Sequence, residues 1–324
     1  MTKKALITGI TGQDGIHLTD FLLKKNYLIY GLVRGQKSQN LEKFKRLFPE
    51  VIILNGDLTD FASLFEAINF AQPDEIYNLG AISYVGLSFN QPEITANVTG
   101  LGVLRLLEAV RKAGLEKVSR IYQASSSEMF GKVQQTPQNE KTPFYPRSPY
   151  GVAKTFAHYT CVNYREAYGM HISSGILFNH EGENRGYEFV TRKISFNVAK
   201  IKLGLQKKFS LGSLDPKRDW GYAGDFVEAM WQMTQLDIPD TFVIATGKTY
   251  SVKDFLVEAL KVAELDIEIE KYVELDKSMI RPAEVDLLVG DYSKANKTFG
   301  WEPKVEFKKL VQIMVENDIN RISK

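Results

Sequence analysis

Cysteine is nearly absent from this chain. Cys161 stands alone among 324 residues, so no intrachain disulfide forms, and a single thiol fits a reducing compartment. Long apolar runs are missing as well. No stretch approaches the ~20 apolar residues that a membrane-spanning helix needs. The apolar start of the chain is broken by Gly9 and the polar pair Gln13-Asp14, too early for the core of a signal peptide. The expectation is a soluble, cytoplasmic protein. An excess of one charge is also lacking. Lys and Arg total 41 against 39 Asp and Glu, a net +2 that steers the protein to neither nucleic acid nor anionic membrane. Lys24-Lys25, Lys45-Arg46 and Lys207-Lys208 are scattered pairs and read as solvated faces. Histidines are few and dispersed, at His17, His158, His171 and His180, and no His-Glu-x-x-His occurs, so no metal site is expected. With 44% hydrophobic and 25% charged residues, disordered and fibrous classes are out.

What the chain does have is alternation. Short β-branched or apolar runs at 5–8, 28–33, 51–54, 75–78, 120–124 and 172–177 read as strands. Helical patterns lie between them at 15–25, 60–71, 91–112 and 150–168. Strand–helix alternation of this length predicts parallel strands with right-handed crossovers: an α/β, doubly wound (Rossmann) sheet. Leu101, Leu104 and Leu107 with Ala109 and Val110 recur at helical spacing and read as core. After about residue 178 the rhythm weakens and turn signals rise. A helix at 226–235 and a strand at 241–246 follow. The expected division is a Rossmann domain over 1–178, to which the chain returns at about 214–248. A smaller, discontinuous substrate-binding cap is drawn mainly from 179–324.

The first strand runs into Gly9-Ile10-Thr11-Gly12-Gln13-Asp14-Gly15 and then a helix. Glycines spaced by three let backbone turn tightly and approach a pyrophosphate, which meets free N–H groups at the helix N-terminus. An ordinary strand–helix turn rarely needs three glycines. The second strand ends at Arg34, where an acidic residue would hold an NAD ribose. Arginine suits a 2′-phosphate and argues for NADP, against the plainer reading of a solvated arginine. Asp57-Leu58 follows the third strand, where a carboxylate can reach an adenine amine, although Asp57 equally suits a helix cap. Leu79, Gly80, Ala81 and Ser83 follow the fourth strand and line the expected cofactor trough.

Tyr150-Gly-Val-Ala-Lys154 places two side chains one helical turn apart, about 6 Å. An ammonium there lowers a tyrosine pKa and binds a cofactor ribose, making the phenol an acid/base near neutral pH. Taken alone the pattern is weak, since a partly buried tyrosine beside an exposed lysine is common. Its context is stronger: Ser125-Ser126-Ser127-Glu128 directly follows a strand, so hydroxyls meet the crevice at the carboxyl edge of the sheet. Glu128 has no use in simple alcohol oxidation. Two residues past the hydroxyl, it suits removal of a carbon-bound proton next to a ketone, against the bland alternative of a surface acid at a loop tip.

Glycine loop, hydroxyl run and Tyr-x-x-x-Lys in that order resemble the extended short-chain dehydrogenase/reductases. Segments 5–15 (ALITGITGQDG), 124–131 (ASSSEMFG), 142–154 (TPFYPRSPYGVAK), 175–181 (GILFNHE), 185–194 (RGYEFVTRKI), 217–221 (KRDWG) and 243–247 (VIATG) look like the GDP-mannose 4,6-dehydratase family. The resemblance implies NADP as a bound, recycled cofactor, with His180 and Arg185 among its contacts. It implies a catalytic set of Ser126, Glu128, Tyr150 and Lys154, and a nucleotide-sugar-binding role for 179–324. Tyr150 would take the O4 proton as C4 is oxidised. Glu128 would remove the C5 proton and assist loss of water from C6. The product would be GDP-4-keto-6-deoxy-mannose. Serine stands at 126 where the family often has threonine, which keeps the hydroxyl and loses the methyl that restrains χ1. Relatives often carry a second arginine and a serine-rich stretch after position 34, which helps build a tetramer; here 35–39 reads GQKSQ. A homodimer or homotetramer is expected. A GDP substrate needs cations, and Arg192, Lys193, Arg218 and Arg281 are candidates, with Asn179 as a donor to a sugar hydroxyl or phosphate and Glu284 as a further substrate-binding residue. Each has a plainer reading as a solvated charge or a turn side chain. The same dehydration of a GDP-heptose, a reductase or epimerase of the superfamily, and a non-catalytic dinucleotide-sensing module are the alternatives.

Overall fold

The computed structural model describes residues 2–35, 38–279, 283, 285 and 287–323. The strands of its main sheet are β1 (Lys4–Thr8), β2 (Leu28–Val33), β3 (Ile52–Asn55), β4 (Glu75–Asn78), β5 (Arg120–Ser126) and β6 (Ile172–Leu177). Short strands β7 (Asn179–Glu181), β8 (Phe209–Leu211), β9 (Lys217–Arg218) and β10 (Trp220–Tyr222) follow, then β11 (Thr241–Ile244), β12 (Tyr250–Ser251) and β13 (Val273–Leu275). Seven parallel strands form the sheet in the order β11-β6-β5-β4-β1-β2-β3. The order reverses between β1 and β4, which opens a crevice at their carboxyl ends. Each inner strand is buried on both faces, as β-branched runs without alternation require.

The helices are α1 (Gln13–Lys24), α2 (Gln39–Leu47), α3 (Phe61–Ala71), α4 (Val85–Asn90), α5 (Pro92–Thr95), α6 (Gly102–Lys112), α7 (Pro149–Tyr168), α8 (Val190–Lys202), α9 (Ala223–Gln235), α10 (Val252–Val262), α11 (Ser293–Phe299) and α12 (Phe307–Ile322). Helices α1 and α9 pack on one sheet face, where Leu18, Leu22, Phe226 and Met230 meet Ile7 and Tyr122. Helices α3, α6 and α7 cover the other, through Leu64, Leu106 and Ala157 over Ile76 and Ile121. A separate core joins α8, α10 and α12 around Trp220, Phe255 and Leu310. Among the described residues no helix is long and apolar enough to cross a membrane.

Some sequence expectations change in detail. The helix expected at 91–112 runs from Pro92 to Lys112, but α5 and α6 within it are joined by a π-helical turn, Ala96–Leu101. Its wider turn rotates Leu101 off the buried stripe, leaving it 41% exposed. Asp60, not Asp57, caps α3, accepting from the Ala62 and Ser63 N–H groups. Helices α8 and α10 lie among the two-stranded pairs β7–β10, β8–β13 and β9–β12, which interrupt the strand–helix rhythm around them.

Candidate active site

The crevice is set open by one hydroxyl. Thr8 Oγ1 donates to Asn78 Oδ1 at 2.6 Å and accepts from the Gly80 N–H at 2.9 Å, pinning the ends of β1 and β4. Beyond Thr8 the loop needs its glycines. Gly9 has φ +67°, and a Cβ there would stand 2.9 Å from Gly80 N. At Gly15 a Cβ would meet the Ile10 carbonyl oxygen at 2.3 Å. The cradle is therefore shaped for backbone approach to a ligand, followed at once by the amino end of α1.

The loop and the residues read as cofactor contacts come together in one cleft. Gly9, Thr11, Gly12, Gln13, Asp14, Gly15, Arg34, Asp57, Leu58, Leu79, Gly80, Ala81, Ser83, His180 and Arg185 all line it. Arg34 is exposed at the mouth, on the second strand's carboxyl end. Asp57 Oδ1 accepts from the Thr59 N–H and hydroxyl, each at 2.8 Å, so its carboxylate holds its own loop. Arg185 pairs with Glu181 at 3.0 Å and lies over the Phe189 ring at 3.6 Å.

Ser126, Glu128, Tyr150 and Lys154 line the same cleft. Ser126 ends β5, and its Oγ accepts from the Glu128 N–H at 3.2 Å, turning the chain so that Glu128 is only 8% exposed. Ser148 caps α7 by accepting from the Gly151 N–H at 3.0 Å, and Pro149 opens the helix with its φ already set. Tyr150 and Lys154 thus stand on the first turns of α7. Lys154 Nζ donates to the Ala124 carbonyl at 2.6 Å and lies 5.8 Å from the Tyr150 ring centre. Burial pushes the Tyr150 phenol up to about 12, against the lowering effects of the Ser126 hydrogen bond and the Arg185 charge. Burial also takes Lys154 down to about 8. The expected lowering of the tyrosine by its lysine is not what dominates, because the ammonium is turned to the sheet end and the phenol is desolvated.

The expected substrate residues are not all brought together. Asn179 lines the cleft, and its Oδ1 is buried without a hydrogen-bond partner among the described residues. Arg192, Lys193 and Arg218 do not line it. Arg192 is 1% exposed and paired with Asp318 at 2.7 Å in the α8–α12 core. Lys193 Nζ reaches the Met279 sulfur at 3.3 Å. Arg218 is buried on β9, with Nη1 donating to the Lys217 carbonyl at 3.0 Å. Arg281 and Glu284 lie outside the described residues. The Lys-Arg-Asp-Trp-Gly segment carries its weight through Asp219, whose carboxylate accepts from the Thr246, Gly247 and Gly290 N–H groups. Sequence reasoning missed Ser38 and Phe189 on the cleft wall. The one available signal was Ser38 as a cap, accepting from the Leu41 N–H.

A doubly wound sheet with a glycine cradle, a strand-end hydroxyl and Tyr-x-x-x-Lys in one cleft defines the short-chain dehydrogenase/reductase class. The solved UDP-glucose 4-epimerase of Thermus thermophilus, a complex with NAD, superposes with a TM-score of 0.84 and 26% identity, covering 97% of this chain and 98% of that one. More narrowly, the family model for GDP-mannose 4,6 dehydratase matches residues 6–314. The Drosophila melanogaster GDP-mannose 4,6 dehydratase is 48% identical over 345 residues, covering 99% of this chain and 87% of that protein. The human one is 49% identical over 338 residues, covering 97% and 91%. The chain belongs to the GDP-mannose 4,6-dehydratase family.

Proposed function

We propose that the protein is a hydro-lyase that converts GDP-mannose to GDP-4-keto-6-deoxy-mannose without net redox change, with NADP in the cleft. The observation that carries this reading is Glu128. A buried carboxylate stands in the same cleft as the hydroxyl, the tyrosine, the lysine and the glycine cradle, in a chain of this family. Oxidation or epimerisation at C4 has no use for it. The cleft suits a dinucleotide, because the glycine loop and the amino end of α1 line it together with Arg34, the residue we assign to a 2′-phosphate. When bound, the nicotinamide supplies a hydride acceptor and donor.

The protein's own groups do the rest. Tyr150 takes the O4 proton of the sugar while Ser126 hydrogen-bonds the C4 oxygen. A positive charge entering the cleft brings the phenol down toward a working value. Lys154 is placed to hold a ribose and to share that proton. Oxidation at C4 acidifies the C5 hydrogen, and Glu128 removes it. The protonated Glu128 then gives the proton to the departing C6 hydroxyl, so the base of one step is the acid of the next. Asn179, which lines the cleft, serves as a donor to a sugar hydroxyl or phosphate. We read 1–178, with the returning strand β11, as the dinucleotide half and 179–324 mainly as the sugar-nucleotide half. We also read a homo-oligomer: Val152, Phe156 and Tyr159 recur along one exposed side of α7 next to exposed Leu101.

Mass spectrometry of GDP-mannose incubated with the protein tests this. Loss of one water without added reductant is expected. Glu128→Gln keeps the shape and cannot take a proton, so turnover falls at least ~100-fold, with NADP still bound. Wild-type turnover in that variant overturns the assignment of Glu128.

A further inference from the structure

His180 sits between two acceptors. Its Nδ1 is 2.7 Å from the Phe178 carbonyl oxygen and its Nε2 is 2.8 Å from Asp14 Oδ2. A neutral imidazole has one N–H and satisfies only one of these; both are satisfied only by the imidazolium, which donates twice. The ring is fixed by stacking on Phe226 of α9, 4.8 Å between centres and 18° from parallel. Asp14 is held on its other oxygen by Gln13, whose amide also donates to the His180 carbonyl at 3.0 Å. The titratable and charged groups facing the pair are Arg185 from the β7–α8 loop and, on the Asp14 side, Lys154 and Tyr150 of α7 and Tyr122 of β5. The attraction and hydrogen bond of Asp14 raise His180 although burial opposes the charge, while Asp14 is held well below the usual carboxylate range.

The two residues come from opposite halves of the cleft. Asp14 is in the first turn of α1, directly after the glycine cradle. His180 is the middle residue of β7, between Asn179, which lines the cleft, and Glu181, which holds Arg185. Strand β7 is short and, among the described residues, pairs only with β10, three residues to three. So small an element needs a tether if Asn179 and Arg185 are to keep their distance from the glycine loop.

We propose that Asp14 and His180 are positioning residues, a carboxylate–imidazolium clasp that locks strand β7 to the glycine loop and holds the dinucleotide and sugar sides in register. The clasp goes beyond any direct contact of either residue with a cofactor, and only its link to NADP rests on the function proposed above. Because the folded-state value of His180 lies above 6.5, the clasp is complete below 6.5 and is lost as pH rises through that raised value.

The test is an NMR titration of the ¹³C-histidine-labelled protein without added ligand, with His180→Asn used to assign the signal. The expected His180 midpoint is clearly above 6.5. In Asp14→Asn, which keeps the shape and removes the charge, it falls to 6.5 or below, since burial and the Arg185 charge then oppose only the Phe178 carbonyl bond. NADP affinity, read by tryptophan fluorescence, should weaken about tenfold in the intact protein as pH rises through the His180 midpoint, an ordinary coupling size. In Asp14→Asn it should be weak and flat across the same range. A wild-type midpoint at or below 6.5 overturns the clasp, and that reading needs no variant to fold. An unmoved midpoint in Asp14→Asn, or an unchanged pH dependence of NADP binding there, overturns it too. None of these readouts uses turnover, so failure of GDP-mannose dehydration would be seen separately.

Discussion

The two walls of the cleft are built on different principles. On the glycine-loop wall the constraint is backbone shape: Gly9 and Gly15 leave no room for a Cβ, and Thr8 fixes the strand ends around them. Every residue assigned to that wall from sequence lines the cleft. On the sugar wall the assignments rested on charge, and Arg192, Lys193 and Arg218 are not among the residues that line this cleft. Shape demanded by local backbone is specific, because few residues meet it. Charge is not, because a core ion pair and a phosphate clamp ask for the same guanidinium.

The sharpest way to break this comparison is Arg192→Met. If Arg192 serves the core, Asp318 is left buried and unpaired, and stability to denaturant falls by about 3–5 kcal/mol. Pairing it with Asp318→Leu should restore most of the loss. Unchanged stability with weakened GDP-mannose binding would return Arg192 to the sugar wall. A smaller effect sharpens the other side. Arg34→Ala should weaken NADP about tenfold, the scale of one exposed charge-assisted contact, and leave NAD nearly unchanged. Equal weakening of both would remove the 2′-phosphate role from the one residue of that wall chosen by charge alone.

The same distinction governs how much was legible in the sequence. The doubly wound sheet was readable because buried parallel strands are continuous apolar runs, from 5–8 through 172–177, and turns between them are short. Tyr150 and Lys154 were readable because a helix fixes their spacing. Ser126 and Glu128 were readable because they follow a strand end. The Asp14–His180 contact was not, since 166 residues separate its partners and only the fold joins them. Nor was the ionisation of Tyr150, which depends on burial by distant elements more than on the lysine one turn away. The strands β7 to β10 escaped because pairs of two or three residues carry almost no periodicity. Asp60 took the cap considered for Asp57 because its side chain alone reaches two free N–H groups.

The central claim is that one cleft oxidises C4 and reduces C6 of the same sugar while Glu128 opens the elimination between them. GDP-mannose deuterated at C4, turned over without added reductant and read by NMR of the product, tests it most directly. The predicted result is a product that carries the deuterium at C6, with solvent hydrogen at C5 in water and solvent deuterium there in D₂O. Loss of the C4 label to solvent, or turnover that consumes reductant stoichiometrically, would contradict it.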